Sequence, residues 1–287
     1  MASNATDQKQ PAKPKRPYLG KRGDKYELKV RISTGNLNAD QVLAIKEVAE
    51  KYGSGEIHLT ARQEVLIFDL EEAHIEDALS RLEEAGLKGG SAGMRVRNIM
   101  SCVGNRCKNC AWDTAALARE IDEKYGEMDL PGAVKMSVAG CPFPCIRPQL
   151  NDIGIIGRTR PRMEDIDKCK GCGLCAKICK VGAISISDDK KSVTDHNICA
   201  MCGRCILYCP SSARIVDKVG VTITIGGGGS WHVEEGPVLV DMLEIEKVVP
   251  LIGKILDYYK ANALPNEKRL RPFVKRIGIE KLKEDLL

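Results

Sequence analysis

Between residues 26 and 32 apolar and polar positions alternate with period two, the pattern of a strand with one buried face. Asn38 can cap a helix running to residue 52, with Val42, Leu43, Ile45, Val48 and Ala49 on one side and Gly53 as its stop. Residues 56–60 and 64–68 read as strands, and a second amphipathic helix runs from residue 72 to Gly86. The order strand–helix–strand–strand–helix predicts an α+β sandwich of ferredoxin-like type, with a further strand near residues 134–138. Helical spacing returns at 114–125 and 243–259. Strand-like residues 152–156 and 221–225 bracket a Cys- and Gly-rich stretch, itself flanked by Arg158-Thr159-Arg160-Pro161-Arg162 and Asp217-Lys218-Val219-Gly220. That arrangement predicts a small domain inserted into a larger one.

Composition narrows the class. The 287 residues carry 44 basic and 39 acidic side chains, net +5, with 43% hydrophobic and 29% charged residues, as in ordinary folded soluble chains. No run approaches the ~18 apolar residues of a membrane span, and residues 1–17 form a polar, Lys/Pro-rich tail without a signal peptide's apolar core. The expectation is a cytoplasmic protein with no membrane partner. The mild charge, with three Phe and two Trp, also argues against nucleic acid.

The 13 cysteines, an odd number all between Cys102 and Cys209, point to metal or redox chemistry rather than a disulfide frame. Cys169, Cys172, Cys175 and Cys179 form one run, and Cys199, Cys202, Cys205 and Cys209, followed by Pro210, form another at the same spacing. Three thiolates on a tight loop can wrap three corners of a cubane, while the fourth Cys of each run ligates the other cluster. Hence Cys169, Cys172, Cys175 and Cys209 are assigned to one [4Fe–4S] cluster, and Cys199, Cys202, Cys205 and Cys179 to a second. Structural zinc would use paired ligands and leave no role for eight evenly spaced cysteines. Residues 168–212 resemble a bacterial two-cluster ferredoxin.

The remaining five are Cys102, Cys107, Cys110, Cys141 and Cys145. Arg97-Asn98-Ile99-Met100-Ser101-Cys102-Val103-Gly104-Asn105-Arg106-Cys107, with Gly140-Cys141-Pro142-Phe143-Pro144-Cys145 later, resembles the sirohaem/[4Fe–4S] signature of sulfite and nitrite reductases. Thr60-Ala61-Arg62-Gln63, Asp152-Ile153-Gly154 and the run Gly226 to Gly229 are similar to further segments of that family, and the resemblance extends from residue 25 to 287. With its ferredoxin insert, the chain looks most like the catalytic subunit of anaerobic sulfite reductase and the dissimilatory sulfite reductase subunits. The resemblance implies a tail at 1–17, a ferredoxin-like half domain at 18–100, a sirohaem/[4Fe–4S] domain at 101–162 and 217–287, and an inserted ferredoxin at 163–216. It also implies that Cys102, Cys107, Cys141 and Cys145 hold a third cubane, with Cys145 shared with the sirohaem iron. Cys107 follows Cys102 one residue sooner than is usual in the family, so Cys110 stands as a rival ligand or a free thiol beside the cluster.

Sirohaem and its substrate are both anionic, and the planar fork of Arg suits carboxylates best. Arg31, Arg62, Arg95, Arg97, Lys135, Arg147, Arg158 and Arg160 lie in or beside the matching motifs. The resemblance implies that Arg31, Arg97 and Lys135 contact the anion. Arg62, Gln63 and Arg95 fall to the macrocycle, with Gly226 and Gly227 allowing its close approach. A second family lysine is replaced by Ala133, which leaves the pocket one cation short. The implied activity is reduction of sulfite to sulfide, using sirohaem and three [4Fe–4S] clusters and an unidentified electron donor. Nitrite reduction is one alternative, and a non-catalytic electron-transfer or redox-sensing subunit is another. Because each motif occurs once, where better-known relatives carry two modules, a homodimer or higher homo-oligomer is expected.

Overall fold

The computed structural model describes residues 18–110, 112–143 and 145–287; the tail expected at 1–17 lies outside them. Strands β1 (Leu19–Arg22) and β2 (Lys25–Arg31) form a hairpin, followed by α1 (Ala39–Tyr52), β3 (Ile57–Leu59), β4 (Val65–Leu70), α2 (Ile75–Glu84) and β5 (Lys88–Gly89). The sheet is antiparallel in the order β1-β2-β4-β3, and β5 pairs with the end of β2, which is a ferredoxin-like arrangement. The fourth strand is thus the two-residue β5, while residues near 134–138 join a different sheet.

Asn38 caps α1 as expected: its Oδ1 accepts from Gln41 N at 2.8 Å, and Gln41 Oε1 accepts from Asn38 N at 3.1 Å. Val42 and Leu43 are half-exposed, and the buried stripe consists of Ala44, Ile45, Val48 and Ala49. The first turn of α1 runs past the end of the core, so these two apolar residues have nothing to cover. Gly86 ends α2 with a left-handed φ of 74°, while Leu87 N closes back on Leu82 O at 2.9 Å.

The larger domain contains β6 (Met100–Ser101), α3 (Thr114–Tyr125), β7 (Met136–Ala139) and the long β8 (Ile153–Met163). It resumes with the long β11 (Arg214–Ile225), then β12 (Gly228–Gly229), β13 (Val233–Glu234), β14 (Val238–Leu243), α6 (Val248–Asn262), α7 (Leu270–Ile277) and α8 (Ile279–Leu286). Between β8 and β11 come α4 (Leu174–Ile178), β9 (Ile184–Ile186), β10 (Ser192–Thr194) and α5 (Arg204–Leu207). The main sheet runs β14-β11-β8-β7-β6, parallel across β6, β7 and β8 and antiparallel beyond. Val138, Ile153, Ile155, Val221 and Ile223 are fully buried within it, and α3 and α6 belong to the same apolar cluster.

Two departures from the periodicity have clear causes. The stretch 243–259 does not begin as a helix, because Leu243 ends β14 and α6 starts at Val248. Pro250 is tolerated only in a first helical turn, where no amide hydrogen is needed. The flanks 158–162 and 217–220 are the continuing arms of β8 and β11, paired from Ile153↔Ile225 out to Met163↔Arg214. One irregularity, between Val216 and Lys218, leaves Asp217 beside Arg160, with which it forms an ion pair.

Candidate functional site

The eight insert thiols fall into two groups around two cavities. Cys199, Cys202, Cys205 and Cys179 line one of about 240 Å³, walled also by Ile178, Ile184 and Phe143. Cys169, Cys172, Cys175 and Cys209 line a smaller one of about 20 Å³, closed by Ser192, Tyr208 and Arg214. The fourth cysteine of each run lies with the first three of the other. Gly173 and Gly203, each with φ near 70°, begin the short helices α4 and α5 that bury Cys175 and Cys205. Among the described residues no three His, Cys, Asp or Glu converge closely enough for a single metal ion.

The second thiol loop is pressed onto β8. Thr159 N donates to Met201 O at 2.6 Å, and Thr159 forms a parallel bridge with Cys202. Partly buried Arg158 donates to Ala200 O at 2.9 Å and to Thr222 Oγ1 at 2.7 Å. From the same loop the Arg204 guanidinium sits 5.6 Å from the Phe143 ring centre and 5.6 Å from that of Tyr208. Phe143 lies between Cys141 and Cys145, so a single aromatic ring connects the larger insert cavity to the other thiol group.

In that other group, Cys102 Sγ accepts from Gly140 N at 3.3 Å and contacts Thr114 Oγ1 at 3.6 Å. Cys110 Sγ donates to Trp112 O at 2.9 Å and lies against Cys102. The contact with Cys110 is the largest influence lowering the Cys102 pKa, and the same contact raises that of Cys110. Cys107 and Cys145 lie close enough to Cys141 for their charges to raise its pKa, although burial is the larger cause. A side chain at Gly140 would fall on the Cys110 sulfur and press on Thr114. Gly140→Ala is therefore expected to cost about 1–3 kcal/mol, the usual range for overpacking. A urea melt indistinguishable from wild type would refute that packing.

Arg62, Arg97 and Lys135 gather beside β6 and β7, each with its pKa lowered chiefly by burial, Arg62 to about 10; Glu64 opposes the shift at Arg62 and Arg97, and neighbouring cations add to it at all three. Among the described residues none of the three has an ion-pair partner, and Arg62 Nη1 is buried without a hydrogen bond. Arg97 Nε donates to Ser91 O at 2.8 Å, and Arg62 Nη2 to Asn151 Oδ1 at 3.3 Å. Two further charged groups were missed by sequence reasoning. Buried Glu64 faces Lys29, Arg97 and Arg62, and burial raises its pKa. Arg269 reaches the same place from the segment between α6 and α7. Glu64 follows Gln63 directly and was within reach of the motif, whereas Arg269 has no local signal.

Other expected site residues are engaged elsewhere. Arg31 is 7% exposed and ion-paired with Asp122 of α3, with Glu127 at 3.7 Å, so its charge is already met by carboxylates. The alternation around it fails because α3 covers the face expected to be open, leaving Val30, Arg31 and Ile32 all buried. The Gln63 amide pins β6, donating to Ser101 O at 2.8 Å and accepting from Ser101 N at 3.0 Å. Arg95 pairs with Asp129 at 2.9 Å. Gly226 and Gly227 do allow a close approach, but to the chain itself: Gly226 N donates to Asp152 O at 2.7 Å, and a side chain at 227 would meet the Gln149 and Asn151 carbonyls.

Comparison with known proteins covers nearly the whole described chain. Residues 92–287 match the nitrite and sulphite reductase 4Fe-4S domain, and residues 18–85 match the nitrite/sulfite reductase ferredoxin-like half domain. The chain is 36% identical over 272 residues to the coenzyme F420-dependent sulfite reductase of Methanocaldococcus jannaschii, covering 93% of this chain but only 43% of that one. An uncharacterized protein of the same organism is 33% identical over 263 residues, 92% of this chain and 91% of that one. In fold the chain is similar to the crystal structure of dissimilatory sulfite reductase I, with a TM-score of 0.75 at 19% identity over 91% of this chain and 68% of that one.

Proposed function

The chain belongs to the nitrite and sulphite reductase family, and on that premise we propose that it is an oxidoreductase reducing sulfite to sulfide. The observation that carries this reading is the trio Arg62, Arg97 and Lys135: partly buried, close enough to repel one another, and without a direct ion pair among the described residues, with buried Glu64 and Asp152 offsetting only part of the charge. Gathering such charges costs free energy unless an anion answers them.

The donor sets fit the implied cofactors. Each insert cavity gathers four thiols, the donor set of a cubane, and the larger one adds the apolar walls of Ile178, Ile184 and Phe143. The orphaned Arg62 Nη1 suits a carboxylate-rich macrocycle. We assign Cys169, Cys172, Cys175 and Cys209 to one [4Fe–4S] cluster, Cys179, Cys199, Cys202 and Cys205 to a second, and Cys102, Cys107, Cys141 and Cys145 to a third. Cys145 would also hold the sirohaem. Cys110, turned to the Trp112 carbonyl, remains a thiol beside the third set. When bound, these groups supply single-electron transfer and an iron site for the anion. The chain's own residues hold the anion with Arg97 and Lys135 and orient the macrocycle with Arg62. The exposed Cys172 marks the side from which an electron donor delivers.

A second reading, a non-catalytic electron-transfer subunit, draws on two observations: Arg31 is neutralised by Asp122, and residue 133 is alanine. The experiment is anaerobic purification with an absorption spectrum, iron analysis, sulfite and nitrite turnover with an artificial reductant, and sedimentation. The expected result is about thirteen iron atoms per chain, counting four per cluster and one in sirohaem, with sulfite turned over in preference to nitrite. Iron near eight with no tetrapyrrole absorption would sink the assignment and leave the electron-transfer reading. Sedimentation tests a homodimer, proposed from the single copy of each motif, the 96% exposed Trp231 and the open edge of β3 with Leu59 74% exposed. An active, fully loaded monomer near 31.4 kDa would defeat it.

A further inference from the structure

The segment between α6 and α7 brings a cation to the pocket from a part of the chain far from any motif. Lys268 O accepts from Ala133 N at 3.1 Å, and Gly132 has no side chain because one would fall on the Lys268 carbonyl group. That contact sets the next residue, Arg269, above the strand carrying Lys135. Its guanidinium is gripped as a fork by Asp152, Nε to Oδ1 at 3.1 Å and Nη2 to Oδ2 at 2.7 Å. Asp152 is fully buried, and its Oδ2 also accepts from the Lys135 backbone amide at 2.9 Å. One carboxylate thus fixes both Arg269 and the strand that presents Lys135. Arg269 remains 37% exposed, with Nη1 outside the fork, so it is held rigidly while one edge stays open.

We propose that Arg269 joins Arg62, Arg97 and Lys135 as a fourth cation of this basic cluster, presented to an anionic ligand from the segment between α6 and α7. The ligand chemistry is an anionic oxygen, which belongs either to the oxyanion substrate or to a macrocycle carboxylate. The positive charge of Arg269 acts on Arg62, Arg97 and Lys135 alike, lowering the pKa of each, as a member of one pocket must. Asp152 orients the group and offsets part of the repulsion; it does not close the open edge. This inference rests on the proposed sulfite-reducing function for its substrate.

The test uses the full chain, loaded with its cofactors, as wild type, Arg269→Gln, Arg269→Lys and the double variant Arg269→Gln/Ala133→Lys. Three quantities are read: sirohaem absorbance per chain, KM and kcat for sulfite, and the rise in melting midpoint caused by added sulfite. Arg269→Gln is expected to raise KM about 10- to 100-fold, the scale for losing a charge-assisted hydrogen bond. The sulfite-induced midpoint rise should shrink with it. Arg269→Lys should retain much of both, and Ala133→Lys should recover KM in the Gln background, which a structural role for Arg269 would not predict. If Arg269→Gln instead loses sirohaem while KM per loaded site holds, the anionic oxygen is a macrocycle carboxylate. Should Arg269→Gln fail to fold because Asp152 is left buried and unpaired, Asp152→Asn/Arg269→Gln removes both charges and carries the same readouts. Unchanged KM, sirohaem content and midpoint rise in the folded variant would overturn the inference. Wild-type protein that binds sulfite without reducing it would overturn the proposed function and leave the pocket standing.

Discussion

Cys145→Ser is expected to abolish sulfite reduction while leaving about eight iron atoms per chain in the insert. A serine hydroxyl stays protonated at neutral pH, so it cannot replace a thiolate that serves two iron centres at once. The insert thiols lie in separate cavities that Cys145 does not line. The loss should therefore be confined to the coupled centre, seen as disappearance of its magnetic interaction with the insert signals retained. Cys110→Ser provides the contrast: its side chain donates to Trp112 O and lies against Cys102, both of which a hydroxyl can also do, so most activity should survive. Loss of the coupled centre in Cys110→Ser, with Cys107→Ser intact, would exchange those two ligands.

Arg97→Ala and Lys135→Ala should each lower kcat/KM for sulfite by about 2–4 kcal/mol, the scale for removing one preorganised charge donor. That amounts to roughly 30- to 1000-fold in rate. Neither side chain forms a direct ion pair, so the fold should be kept, although Arg97→Ala also removes one of the charges facing buried Glu64, which Lys29 and Arg62 still face. Arg97 Nε does give up its bond to Ser91 O, so a slightly lower melting midpoint is expected for that variant alone. Unchanged turnover in both variants, with sirohaem retained, would remove this pocket from the chemistry.

Local signals in the sequence carried much of the fold. The α3 helix at Thr114–Tyr125, the Asn38 cap and the ferredoxin-like strand order were all legible, because each depends on residues close together along the chain. The α6 start was legible in principle from Pro250 but was hidden by the apolar residues of β14 running into it. What escaped was decided by tertiary partners. The period-two pattern cannot reveal that α3 closes over Arg31 and brings Asp122 to it across 91 positions. Nor can any motif show that Arg269 meets Asp152 across 117 positions. The glycine run was read as room for a cofactor; that Gly227 also lets in the Gln149 and Asn151 carbonyls, and Gly226 the Val274 side chain, is set by distant parts of the chain.

The clamp of the second thiol loop on β8 has a mechanical consequence. With Thr159 and Arg158 bonded to Met201 and Ala200, and Arg204 stacked on Phe143, the insert cannot act as a swinging arm that ferries charge between a donor and the interior. Distances inside the chain are set at folding, and tunnelling over a fixed gap does not depend on solvent drag. Viscosity and ionic strength should then act only on the encounter with the outside donor, so a viscogen that slows turnover with a protein donor should leave turnover with a small dye almost unchanged.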